Sequence, residues 1–269
     1  SGEPIGNVRN VSNGFEFLLV PTTSWNNGLG FIPIGTMAHP FSGEFDGNNG
    51  DTFGFGIWAV DINNPLSDNV GLFGVTSPTA YIHDLLLTGN TVVGNNNVGA
   101  LVGTNYGTLE NINVFQDMLV GHDNVGSIVG VNNGTIKDAV TNSVRTAGNN
   151  NVGGIAGVNT GLIQNALASS IVTGVNFIGG LVGVNMGTLL DSFWDSSFSG
   201  RTNAAGLNSG IINHTTPGCL YGGSCLAGTA NLSDPLTYLS TADGGYGLVG
   251  TSWDFTNVWG IVPFVSYPY

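Results

Sequence analysis

The sequence predicts an all-β chain, wound as a parallel β-solenoid of about six coils with an irregular cap at each end. Three observations predict it. A unit recurs every 26 to 28 residues, glycine and asparagine hold fixed registers within that unit, and charged residues make up only 8% of the chain.

The repeat defines the central element, residues 70–198. Its first block is "VGLFG" at Val70, "VGALVG" at Val98, "VGSIVG" at Val125, "VGGIAG" at Val152 and "IGGLVG" at Ile178, in steps of 28, 27, 27 and 26 residues. A second block is Asn-x-Gly, at Asn105/Gly107, Asn132/Gly134, Asn159/Gly161 and Asn185/Gly187. A third pairs an aliphatic residue with Asp or Asn two positions on: Ile82/Asp84, Leu109/Asn111, Ile136/Asp138, Ile163/Asn165 and Leu189/Asp191. Gly94, Gly121, Gly148 and Gly174 form the last column.

Helices reject this composition, because each interior glycine costs a helix about 1 kcal/mol. The short β-branched runs between the glycines read as strands, and Gly and Asn supply corners of positive φ. One such coil cannot bury its apolar face alone, whereas coils stacked at about 4.8 Å share one continuous core. Leu101, Ile128, Ile155 and Leu181 are the predicted centre of that core.

The column Asp84, Asn111, Asp138, Asn165, Asp191 is expected to stack as a polar ladder. Like charges opposite one another on adjacent strands repel. Alternating Asp with Asn sets the carboxylates two coils, about 9–10 Å, apart.

Both ends depart from the repeat, as caps must, since an open coil exposes strand edges. Residues 1–69 are the amino-terminal cap and first coil, with the irregular stretches "FEFLLVPTTSWNNGLGFIPIG" and "HPFSGEFDGNNGDTF". Residues 199–269 are the carboxy-terminal cap, in which Trp253, Phe255, Trp259, Phe264, Tyr267 and Tyr269 read as a plug over the last coil. That cap also carries "CLYGGSC", where Gly222 and Gly223 let the chain turn sharply enough to join Cys219 to Cys225. A ring this short contributes about 2 kcal/mol in the loop-entropy account, and a disulfide implies an oxidising compartment.

Seventeen acidic residues face only four basic ones, giving a net charge of −13. A cationic footprint for nucleic acid cannot be assembled, and an anionic bilayer surface is disfavoured. No run of eighteen apolar residues spans a membrane. The chain begins "SGEPIGNV", without methionine or signal peptide, and reads as a mature or excised segment of an exported protein.

The "VGGLVG-x-N-x-G-x-I" unit resembles the GLUG repeat of large secreted and surface proteins of bacteria, including adhesins. "FIPIG…HPFSGEFDGNNGDTF" is similar to the stretch that commonly precedes those repeats, and "LSTADG…SWDFTNVWGI…YPY" to the segment that follows them. The resemblance covers about residues 31–197 and 236–269. It implies a right-handed β-helix on an exported bacterial protein, and no reaction, since the family shares no catalytic residues.

Candidate sites are few. Glu44, Asp46, Asn48 and Asp51 in "EFDGNNGD" offer the oxygen ligands of a Ca²⁺ loop, but "DGNNG" is also plain turn chemistry. No other cofactor is implied. Asp84 with Asp138, or Asp138 with Asp191, reaches the upper end of the spacing that glycoside hydrolysis needs, about 6.5–9.5 Å. Each follows a core aliphatic, with no aromatic sugar platform beside it. Asp191 and Asp195 beside Phe193 and Trp194 are assigned to cap packing. His39, His83, His122 and His214 share no metal-triad or nucleophile–base spacing.

The expected function is therefore that of a non-catalytic extracellular module, structural or adhesive, that meets a host or matrix glycan or protein. The alternative is an extracellular polysaccharide-active β-helix enzyme. A third reading joins copies head to tail into a filament. In that reading the apolar strand "FEFLLV" either packs on its own first coil or adds to a neighbour's open end, with Phe15, Phe17 and Leu19 as anchors.

Overall fold

The computed structural model describes residues 7–11, 14–18, 29–47, 56–58, 61–219, 230–232, 235–243, 245–246, 248–250 and 253. Its regular secondary structure is nearly all strand, and equivalent segments of successive repeats pair in parallel to form a β-solenoid of about six turns. Among the described residues, regular helix is confined to Ser196–Ser199 and two 3-10 turns.

Three sheets make the walls. One six-stranded sheet stacks the second half of each "VGxΦVG" block, in the register Phe73↔Val102↔Val129↔Ala156↔Val182↔Ala205. A four-stranded sheet stacks the first half, Val98↔Val125↔Val152↔Ile178. The largest sheet carries the third block, Ile82↔Leu109↔Ile136↔Ile163↔Leu189. Pairing continues beyond residue 198, at Ala205–Asn208 and Ile211–Asn213, so a further coil lies within the stretch that the sequence assigns to the carboxy-terminal cap.

The core follows from this register. Leu101, Ile128, Ile155 and Leu181 are fully buried, as are Ile82, Leu109, Ile136, Ile163 and Leu189. Glycine is required where two walls meet backbone to backbone. A Cβ on Gly130 would sit 2.3 Å from the Asn97 carbonyl carbon, and one on Gly126 only 2.1 Å from the Val129 oxygen. No side chain fits between walls this close.

The polar ladders lock the register. Asn105, Asn132, Asn159 and Asn185 each donate from Nδ2 to the Oδ1 of the asparagine in the next coil, at 2.8–2.9 Å, ending on Asn208. Asn105, Asn132, Asn159 and Asn185 are buried. An amide is both donor and acceptor and repeats head to tail without charge, which explains Asn in the Asn-x-Gly block.

The third-block column has a further cause that its alternation of charge does not reveal. Asp84, Asn111, Asp138, Asn165 and Asp191 all adopt φ between 49° and 54°. That left-handed corner favours Asn and Asp among non-glycine residues. It turns the strand and resets its alternation, so that inward Ile82 is followed by inward Leu85 and Leu87. The next coil places His214 (φ 45°) at the equivalent corner.

At the amino terminus, Asn7–Val11 and Gly14–Leu18 form an antiparallel hairpin, and Leu18 pairs with Trp58. The strand bearing Phe15 and Phe17 thus pairs within its own chain. Leu19 lies outside the described residues.

The described part of the carboxy-terminal cap is not a plug over the end. Leu232, Tyr238, Val249 and Trp253 pack on the flank of the largest sheet, against Val140, Leu167 and Phe193. Phe193 meets Tyr238 and Trp253 edge-on, at 5.1 and 5.9 Å between ring centres. The reason lies in the sheet: these three side chains point away from the main core, and the parallel sheet must bury that apolar column as well. Phe255, Trp259, Phe264, Tyr267 and Tyr269 lie outside the described residues.

Candidate functional site

Among the described residues, the densest group of titratable side chains sits on the outer face of the first coils, before the third-block corner. It grows from strand register. Glu44–Asp46 pairs with Tyr81–Thr88 as Glu44↔Tyr81, Phe45↔Ile82 and Asp46↔His83. The next two coils add Glu110 and Lys137 to the same outward column, as His83↔Glu110↔Lys137. Inward Phe45 and Ile82 fix the faces, so every second side chain is thrown outward.

His83 is at the centre, with its side chain only 12% exposed. Its Nε2 lies 3.1 Å from Glu44 Oε1, and its Nδ1 lies 2.7 Å from Asp84 Oδ2 and 3.9 Å from Asp46 Oδ1. The Tyr81 ring stacks on the imidazole, 4.2 Å between centres and 17° between planes. Tyr81 OH donates to Glu110 Oε2 at 2.9 Å, and Lys137 Nζ donates to Glu110 Oε1 at 2.8 Å. Lys137 also lies 3.2 Å from Asp138 Oδ2.

The electrostatics follow from these contacts. Burial pulls the His83 pKa down, but hydrogen bonds to Asp84 and Glu44 and the charge of Asp46 outweigh it, and the net shift is upward. Burial, aided by the Glu110 hydrogen bond, pushes Tyr81 up to about 12. The Lys137 hydrogen bond holds the Glu110 carboxyl below its ordinary value despite burial, and Glu110 raises Lys137 in return.

The structure distributes the sequence-predicted residues as follows. Glu44 and Asp46 lie beside His83, and the other two residues of the expected Ca²⁺ loop, Asn48 and Asp51, lie outside the described residues. Asp84 accepts from Asn111 Nδ2, and Asp138 from Asn165 Nδ2 at 2.9 Å. Asp191 accepts from the Gly250 backbone N–H at 2.6 Å and faces His214 Nδ1 at 3.3 Å, which ties the column to the carboxy-terminal segment. Asp195 caps the short helix, accepting from the N–H groups of Ser197 and Phe198. Cys219 is buried and carries no free thiol, while its expected partner Cys225 lies outside the described residues.

Sequence reasoning missed His83, because it looked for spacing among histidines. The repeat period does not carry the signal, because Asp46 stands further from His83 than one 26- to 28-residue step, and only the strand register brings them together. It also missed Asp117, a buried carboxylate held by Asn90 through its backbone N–H (2.8 Å) and its side-chain amide (3.0 and 3.1 Å).

No family model matches the chain, and no solved structure matches it significantly. Two curated proteins are similar over part of it. One, from Evansella cellulosilytica, carries the name of a Gly-rich membrane protein; it is 37% identical over 119 residues, covering 41% of this chain and 13% of that protein. The other is halomucin of Haloquadratum walsbyi, 34% identical over 98 residues, covering 35% of this chain and 1% of halomucin. The chain thus spans only a small fraction of the length of these relatives. Among the described residues, no helix is long and apolar enough to cross a membrane.

Proposed function

We propose that the chain is a non-catalytic structural or adhesive module of a surface or extracellular protein, repeated coils holding apart or presenting whatever lies at either end. The single observation that carries this reading is the ladder-locked solenoid, whose corner carboxylates Asp84, Asp138 and Asp191 are each engaged by a neighbouring coil or the carboxy-terminal segment. A stack tied coil to coil by polar columns suits bearing and spacing. The names of the relatives, a Gly-rich membrane protein and halomucin, support a place at the cell surface. The GLUG-like repeat pattern supports the same reading, and export is where a Cys219–Cys225 disulfide would close.

The polysaccharide-active alternative separates from this in one experiment. Purified chain is incubated with a panel of acidic and neutral polysaccharides, scored for new reducing or unsaturated ends and for co-sedimentation. Binding without new ends is expected. Ends that appear with the wild type and vanish with Asp138→Asn would overturn the non-catalytic reading.

A filament is favoured by one observation. Leu207, Ile211 and Ile212, on the strands of the last described coil, remain exposed. A neighbour's amino-terminal stretch, with Phe15, Phe17 and Leu19 as the anchors expected from the sequence, would cover them. Wild-type fibres in electron micrographs that disappear on deletion of residues 1–20 are the expected result; a monomer at high concentration would end the filament reading.

A further inference from the structure

The geometry points to a divalent transition-metal site, of the kind zinc fills, formed by His83 Nδ1 and the carboxylates of Asp46 and Asp84. One ligand atom from each of these residues lies within 4.8 Å of the other two. Tetrahedral zinc, with bonds of about 2.0–2.1 Å, needs ligand atoms about 3.3 Å apart. The Asp84 contact, 2.7 Å, must open slightly and the Asp46 contact, 3.9 Å, must close by a similar amount. Both are within the swing of an aspartate side chain.

The group around these atoms is what separates this arrangement from a plain ion pair. Metal-bound histidine usually donates its other ring N–H to a carboxylate, which fixes the tautomer and turns the free lone pair toward the ion. Here Glu44 Oε1 stands 3.1 Å from Nε2, on the side of the ring away from Asp46 and Asp84. The stacked Tyr81 ring sets the imidazole plane. Two carboxylates balance the charge of a divalent ion, and imidazole selects for zinc-like ions over Ca²⁺, which prefers oxygen alone. Three protein ligands leave the fourth position for water or for an outside donor.

The site would also act as a staple. Asp46 belongs to Glu44–Asp46 in the amino-terminal region, whereas His83 and Asp84 belong to Tyr81–Thr88 in the following coil. An ion shared between them ties the first strands to the repeat stack. Binding energy at a site split between elements becomes stability of their junction.

The test titrates the full chain, stripped with EDTA, with Zn²⁺ by calorimetry and by thermal shift. One ion per chain and a raised melting temperature are expected, reversed by EDTA. His83→Gln and Asp46→Asn abolish both effects, while Glu44→Gln weakens binding about 10–100-fold. His122→Gln serves as control, since His122 lies with Asp123 elsewhere on the solenoid. If the His83 variant does not fold, nitrogen-detected NMR of the wild-type imidazoles decides: His83 Nδ1 must be the resonance that moves on adding Zn²⁺. Absence of stoichiometric binding, binding unchanged in folded His83→Gln, or an unmoved His83 resonance would overturn the assignment. So would a Ca²⁺ response that matches that of Zn²⁺.

Discussion

The largest sheet presents two outward columns that share one core and one set of corners, yet they solve opposite problems. Before the corner, the acids Asp46 and Glu110 alternate with the bases His83 and Lys137 from coil to coil, and each is met by a neighbour. After the corner, Val140, Leu167 and Phe193 are apolar, and Leu232, Tyr238, Val249 and Trp253 fold over them. The difference teaches that a solenoid's outward columns are independent of its core. A charged column stays at the surface by pairing along the stack, while an apolar one recruits the chain's own end as cover.

The covered flank should carry most of the energy. Phe193→Ala removes a buried ring that touches both Tyr238 and Trp253 and should cost about 3–5 kcal/mol in urea unfolding. If the loss were no larger than that of a surface substitution, the carboxy-terminal segment would not be packed there.

A charge inside the walls behaves differently from one on the paired column. Burial pushes the Asp117 carboxyl from 3.8 up to about 6, against the hydrogen bonds from Asn90. The folded state therefore holds this proton more tightly than the unfolded chain. The stability it contributes is complete below about pH 4 and is lost as pH rises through about 6, on the order of 3 kcal/mol. Asp117→Asn should flatten the stability profile across that window and melt no lower than the wild type at neutral pH. A variant that kept the wild-type slope would place the titration elsewhere.

The neutral ladder beneath both flanks comes next. Asn159→Asp keeps the acceptor for Asn132 but turns a carboxylate toward Asn185 Oδ1 and the Gly161 carbonyl, where Asn159 now donates. A cost of about 2–3 kcal/mol is expected from the unsatisfied acceptors. Asn159→Asp as stable as the wild type would show that the ladder does not hold the register.

The smallest effect belongs to the charged column. Lys137→Met breaks the half-exposed pair with Glu110 and should change stability by less than about 1 kcal/mol. A larger loss would mean that the polar flank is a structural element in its own right.

Much of the fold was legible because stacking turns sequence spacing into contact. The "VGxΦVG" aliphatics, the Asn-x-Gly amides and the Asp/Asn column all align by a step of one coil, and the structure stacks them in that register. What was less legible had local causes that spacing does not express. The Asp/Asn column reads as charge avoidance, but its shared positive φ shows a corner that needs those residues whatever their charge. Val140 and Leu167 follow core alanines directly, so their exposure to a second cover was hidden within a continuous apolar run. His83 meets Asp46 through a coil whose spacing differs from the repeat, so no motif joined them.

The most direct measurement of the two-flank account is a set of ring-to-ring contacts in NMR of the folded chain. Phe193 should show cross-relaxation to the rings of both Tyr238 and Trp253. Contacts from Tyr238 and Trp253 only to Leu207, Ile211 or other side chains of the last coil would contradict it, and would return the carboxy-terminal segment to the end of the stack.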